Sequence, residues 1–209
     1  EIASTTFVQN YDVEYLLSVH TPIDKTVISK GLCTSKPTSY PTMTEMHEFC
    51  QKYLECSMDN IFVEIGPALG HISSLMVARG MKVYSFEAQQ QNVDKMDKTK
   101  CMMGSNGLKW NIHHLLIGNG KYIGVNTNQK HNKAAISFSK TLKKTNILQN
   151  ELPDNNIECL HICLDGTVSE FQILKNIGVK INNIRSFVLR AYPYTDAQKK
   201  SFYKLIDFL

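Results

Sequence analysis

Between residues 61 and 88 the chain reads IFVEIGPALGHISSLMVARGMKVYSFEA, and this stretch narrows the possible folds more than any other. Residues 61–65 are a short apolar run with one acid, Glu64, which suits a strand buried on both faces. Gly66-Pro67-Ala68-Leu69-Gly70 follows as a glycine-bounded turn. His71 to Arg79 then places Ile72, Leu75, Met76 and Ala78 on one side, which predicts a helix, and Gly80 stands where its C′ residue belongs. Met81 to Phe86 is a second apolar run ending on Glu87. Strand, turn, helix and strand make one βαβ unit of a parallel sheet, with a ligand expected at the carboxyl ends of the strands.

The residue types in this unit carry chemistry. Glycines at 66 and 70 let the backbone approach a ligand with no Cβ in between. Glu87, 21 positions after Gly66, stands at the tip of the second strand, where a carboxylate can accept hydrogen bonds from both hydroxyls of a ribose. A dinucleotide site wants G-x-G-x-x-G, but the second and third glycine positions here are Ala68 and His71. S-adenosylmethionine has no pyrophosphate and asks less of the turn, and Glu64 is an acid suited to its methionine ammonium group. The residues therefore favour S-adenosylmethionine over a dinucleotide or an unused βαβ turn.

V-E-I-G-P-A-L-G followed by V-Y-S-F-E-A resembles the FkbM-like O-methyltransferases of the class I methyltransferases. The resemblance continues through S-N-G-L-K-W-N-I-H-H-L-L-I-G (105–118) and L-H-I-C-L-D-G-T-V-S-E-F-Q-I-L (160–174), and covers roughly residues 58–208. It implies a Rossmann-like α/β fold: a mostly parallel central sheet with helices on both faces, with the family's final strand hairpin expected either to be cut away from this chain or to be lacking. It also implies a cofactor site on Glu64, Gly66, Pro67, Ala68, Gly70, His71, Glu87 and Ala88, with Leu115 and Leu116 against the adenine ring and Asp165 near the methyl group. The implied activity is O-methylation of a hydroxyl on a sugar or glycan, with a polyketide-like small molecule as the alternative acceptor. Such domains also stand beside glycosyltransferase domains in longer proteins.

Methyl transfer to a hydroxyl needs alignment and a general base. Asp165, at the tip of a predicted fourth strand (158–164), is the first candidate, followed by His114 or His113 at the end of a predicted third strand (110–115). Glu170 matches the family's last acid in its segment, or caps the following helix. The acceptor half departs from the family pattern: Thr167 and Val168 replace Glu and Gly, Cys163 replaces Lys, and Arg190 replaces Glu. Arg190 is expected to pair with Asp165 or hold an acceptor oxygen. These departures keep open a second reading, a cofactor-binding domain with degenerate catalysis. His161, deep in the fourth strand, reads as a core histidine.

Composition limits the alternatives. Of the 23 cationic side chains only 3 are Arg, and the net charge is +4. Base readout and phosphate forks lean on Arg, so a Lys surplus argues for a solvated surface rather than a nucleic-acid partner. No apolar run reaches the length of a membrane span. Six cysteines occur without a C-x-x-C pair, and Cys159 and Cys163 share one face of a strand. That is the pattern of small buried hydrophobes, not of zinc ligands, and it points to a reducing, cytoplasmic setting, with the secretory lumen as the alternative.

The remaining segments complete the expected architecture. Residues 1–41 read as an extension or lid with a short helix over 11–19, and 42–209 as the methyltransferase domain, expected to be part of a longer protein. Thr42 opens a helix carrying Met43, Met46, Phe49, Cys50, Tyr53 and Leu54 at helical spacing. Residues 90–102 predict a helix with Val93, Met96 and Cys101 inward. Tyr122–Val125 and Ala135–Phe138 form a candidate strand pair, and 139–156 an irregular helix and loop. Residues 169–177 and 196–208 predict helices, and 185–191 a fifth strand.

Overall fold

The structure is a computed structural model, and it describes residues 5–10, 13–18, 59–118, 120, 122–124, 142–163, 170–190, 199–200 and 203. The predicted βαβ unit is present: β3 (Ile61–Ile65), α1 (His71–Ala78) and β4 (Lys82–Glu87). Helix α2 (Gln90–Met102) leads to β5 (Trp110–His114). Farther along come β10 (Ile157–Cys163), α4 (Glu170–Lys175) and β11 (Phe187–Arg190). These five strands form one parallel sheet in the order β11-β10-β3-β4-β5. The order reverses between β3 and β10, which puts the topological switch point at the end of β3, where the glycine turn begins.

Strand register decides what each face buries. Phe62, Val83, Trp110 and Cys159 pack with Ile72, Leu75 and Met76 of α1 and with Val93 and Met96 of α2. Ile61, Val63, Ile65, Phe86, Leu160 and Ile162 face the other way, against Leu148, Ile173, Leu174 and Ile177. A bulge between Ile157 and Cys159 lets Ile157 join the second face while Cys159 joins the first. Two buried faces explain why β3 lacks polar alternation: all five of its residues are buried.

Several expectations are corrected. Residues 13–18, within the helix expected over 11–19, are not helical. Val13–Ser18 is a strand (β2), paired antiparallel with Thr5–Asn10 (β1). A nine-residue segment is too short to hold a helix by itself, whereas the preceding strand supplies a full ladder, and Thr5, Thr6, Val8 and Val13 suit the pleat. This hairpin runs alongside α1 and α2. Cys101 is exposed; the inward stripe of α2 runs Asn92, Val93, Met96, Thr99. The helical angle from Met96 carries Thr99 back toward the core and Cys101 away from it.

The partner of the strand at Tyr122–Gly124 (β7) is Leu142–Lys144 (β8), antiparallel. Residues 139–156, expected as helix and loop, thus include β8, the two-residue strand β9 (Asn146–Ile147), paired with β6 (Ile117–Gly118), and the short helix α3 (Leu148–Glu151). The proposed helix from Thr42 and the strand at 135–138 lie outside the described residues, as do most residues of the last predicted helix.

Candidate functional site

The turn after β3 has an unusual backbone. Gly66, Ala68 and Gly70 take φ of 75°, 54° and 72°, all left-handed. Glycine does this freely; an alanine in that region costs about 1–2 kcal/mol. The alanine at the fingerprint's second glycine position therefore still adopts a glycine conformation, and strain of this kind concentrates at functional sites. Internal bonds hold the turn: Gly66 N–H donates to Phe86 O at 3.0 Å and Gly70 N–H to Pro67 O at 2.9 Å. Gly70 also lies against Trp110. A Cβ there would sit 2.7 Å from the ring carbons Cη2 and Cζ2.

Glu87 ends β4, is 4% exposed and reaches across to this turn. Its Oε2 accepts Ala68 N–H at 3.1 Å and its Oε1 accepts Gln89 N–H at 2.8 Å. Burial pushes its carboxyl up to about 7, with hydrogen bonds from Gln89, Asn92, Ala68 and Ala88 pulling the other way. Four protein donors thus surround the carboxylate, which when ionised only accepts hydrogen bonds. An acceptor pair of this kind suits the two O–H donors of a vicinal diol.

Glu64, expected to hold an ammonium group of the cofactor, is turned inward and is 2% exposed. Its Oε2 accepts Ser73 N–H at 3.1 Å and the Ser73 hydroxyl, and its Oε1 lies 3.0 Å from His161 Nδ1. His161, read as a core histidine, is 2% exposed, and Glu64 is its partner. Ser73 Oγ lies 2.6 Å from Ser85 Oγ, which in turn accepts Trp110 Nε1–H at 2.8 Å. Sequence reasoning missed Ser73, Ser85 and Trp110. The available signal was two hydroxyls inside apolar elements, I-S-S-L and V-Y-S-F, together with the chain's single tryptophan.

His71, at the third glycine position, is buried at the first position of α1, and burial lowers its imidazole to about 4. It is neutral at physiological pH. Pro67 is buried and Ala88 half-buried beside Glu87. His114 is exposed, with Nε2 3.1 Å from Ala88 O, and pairs in register with Glu87. His113 points to the opposite face, stacked on Phe86 at 4.9 Å and on Tyr84 at 6.2 Å between ring centroids. Burial lowers the pKa of His113. Leu115 and Leu116 are half-buried just beyond β5.

Asp165, Thr167 and Val168 lie outside the described residues, and so do the side chains of Glu170 and Arg190. Cys163, the last residue of β10, is level with Arg190, the last of β11. No group of three or more His, Cys, Asp or Glu side chains able to hold a metal occurs among the described residues.

No protein-family model and no curated protein matches the chain in sequence. Solved structures are similar to it in fold. An S-adenosylmethionine-dependent O-methyltransferase from Thermotoga maritima superposes with a TM-score of 0.51 at 10% identity, over 94% of this chain and 58% of that one. The chain thus spans little more than half of that protein's length. A methyltransferase candidate from Streptococcus mutans, solved in complex with SAH, gives 0.51 at 13% identity over 80% and 81% of the two chains. A candidate rRNA methylase from Clostridium thermocellum gives 0.51 at 9% identity over 79% and 80%. The fold is the Rossmann-like class I methyltransferase fold.

Proposed function

We propose that this chain is an S-adenosylmethionine-dependent methyltransferase that binds its cofactor on the Gly66–Gly70 turn and Glu87. The observation that carries the reading is the buried Glu87 carboxylate at the tip of β4, bonded through one oxygen to Ala68 of the turn and through the other to Gln89. In this reading its two oxygens accept the two ribose hydroxyls. Leu115, Leu116 and Ala88, all half-buried, are assigned to the adenine. Pro67, Ala68 and His71 shape the turn, and the Ala68 Cβ disfavours the close pyrophosphate approach of a dinucleotide. Glu64 contributes through Ser73 and the start of α1 rather than by direct contact.

When bound, S-adenosylmethionine supplies a methyl group on a good leaving group. The chain's task is to place an acceptor in line and remove its proton. β5 and β10 are three strand spacings apart, about 14 Å. His114, bonded to Ala88 O, therefore belongs to the ribose side of the site, and Asp165, which follows β10 in sequence, is our first general base. Arg190, level with Cys163, is assigned to Asp165 or to an acceptor oxygen. Unchanged turnover in an Arg190→Ala variant would remove that assignment.

The resemblance to FkbM-like motifs supports a hydroxyl of a sugar or glycan as acceptor, and the cysteine pattern supports a cytoplasmic setting, with the secretory lumen as the alternative. No helix among the described residues is long and apolar enough to cross a membrane. The fold alone does not select the acceptor, since the similar structures include an O-methyltransferase and a candidate rRNA methylase. The test is to incubate the protein with S-adenosylmethionine and separate panels of saccharides, small phenols and RNA, following release of S-adenosylhomocysteine. Saccharide-dependent release, lost in Asp165→Asn, is the expected result. Release with RNA alone would replace the acceptor, and cofactor binding with no transfer to any panel would leave a binding domain.

A further inference from the structure

A one-way row of hydrogen bonds crosses the interior of the sheet on the face covered by α1. An indole N–H only donates and a carboxylate only accepts. Trp110 therefore donates to Ser85, and the single hydroxyl proton of Ser73 goes to Glu64. In the Ser85–Ser73 contact of 2.6 Å the donor must then be Ser85. Proton donation runs Trp110, Ser85, Ser73, Glu64, and His161 Nδ1 closes the far end on the other carboxylate oxygen. All five side chains are buried.

Both ends of the row act on the turn. The Trp110 ring lies against Gly70 so closely that no Cβ fits there. Glu64 takes the N–H of Ser73, a first-turn donor of α1 that the N-cap, Gly70, has no side chain to satisfy. Ser85, through Ser73, joins these two supports. It lies on β4, the strand that carries Glu87, with its Cα level with Glu64.

We propose that Ser85 is a positioning residue for the Gly66–Gly70 turn: its hydroxyl ties the ring beneath Gly70 to the carboxylate that caps α1. The link to cofactor affinity rests on the reading of this turn as the cofactor site; the link to the turn's own rigidity does not.

The experiment compares wild type with Ser85→Ala, and with Ser85→Cys, which keeps the size but weakens the bond. Backbone amide exchange and tryptophan emission are followed in the ligand-free chain, and S-adenosylhomocysteine is then titrated in. Trp110 is the sole tryptophan, so the emission reports this site alone. In Ser85→Ala the Ser73 amide should exchange about tenfold faster, with α4 amides such as Ile173 and Leu174 unchanged. Trp110 emission should shift, and S-adenosylhomocysteine should bind about tenfold more weakly. Ser85→Cys should fall between, and it carries the comparison alone if Ser85→Ala does not fold.

Wild-type exchange and emission in the variants would overturn the proposal. So would acceleration spread equally to α4, which would mark general destabilisation. If exchange and emission respond while wild type binds no S-adenosylhomocysteine, Ser85 positions the turn as stated and the cofactor reading fails instead.

Discussion

Glu87 Oε2 accepts the backbone N–H of Ala68 at 3.1 Å, and this one bond fastens the end of the second strand of the βαβ unit to the middle of the turn after the first. The carboxylate assigned to the ribose also holds the loop that faces it. Replacing Glu87 with Ala should therefore do two things together. It should abolish binding at the turn and, by orphaning Ala68 and Gln89 N–H, lower stability by roughly 1–3 kcal/mol. Urea unfolding alongside ligand titration checks both; a variant that loses binding with wild-type stability would contradict the double role.

The pH dependence has two opposed parts. Burial raises the Glu87 carboxyl to about 7 in the folded chain from the 4.5 of a free glutamate, so the folded chain keeps a proton that the unfolded chain releases. Its contribution makes stability fall as pH rises from about 4.5 to about 7. His71 titrates near 4 when folded against 6.5, so there the unfolded chain holds the extra proton, and stability rises with pH from about 4 to about 6.5.

Over the shared window the two slopes oppose each other. Glu87→Gln should leave a stability that climbs with pH, and His71→Gln one that declines, by up to about 1.4 kcal/mol per pH unit each. Denaturant midpoints across the window measure this. Two variants that both parallel wild type would sink the account.

Gly70→Ala meets two penalties at once: φ of +72° and a Cβ 2.7 Å from Trp110 and 2.8 Å from Met96 Cγ. We expect a loss of roughly 2–4 kcal/mol, from the strained backbone together with overpacking. A shift of the urea midpoint below the equivalent of about 1 kcal/mol would mean that Trp110 moves aside freely.

Ala68→Gly tests the strained position in the opposite direction. It removes the cost of φ +54° and adds chain entropy to the unfolded state, so the net gain should be small, up to about 1 kcal/mol. The ligand site keeps its shape in this variant. A clear loss of stability on calorimetric melting would show that the Ala68 methyl group is packed, not merely tolerated.

Glu64→Ala should be the most damaging single change in the polar row, because Ser73 and His161 both lose their acceptor inside the core. The expected cost is about 3–5 kcal/mol. Chemical denaturation at neutral pH would show it. A cost within experimental error of zero would mean that the row reorganises without penalty.

The parallel sheet was legible because β3 and β4 are short apolar runs bounded by glycine, and their period and punctuation are local properties. The tip position of Glu87 followed from chain spacing alone. The inward turn of Glu64 did not, because it depends on Ser73 in α1 and His161 in β10, which lies 97 residues away. Pattern reasoning points Glu64 at the ligand because an acid at the base of the turn suits an ammonium group. Val13–Ser18 escapes the helical reading of 11–19 for a related reason: its strand conformation depends on pairing with Thr5–Asn10, and a short segment has little intrinsic preference of its own. Cys101 was placed inward on a helical period that Thr99 in fact completes.

The central claim is that the Glu87-latched turn is an S-adenosylmethionine site. Calorimetric titration of wild type and Glu87→Ala with S-adenosylhomocysteine and, separately, NAD tests it most directly. We predict micromolar binding of S-adenosylhomocysteine to wild type, its loss in Glu87→Ala and no binding of NAD. Absence of S-adenosylhomocysteine binding in a folded wild-type protein, or a preference for NAD, would contradict the claim and the methyltransferase reading with it.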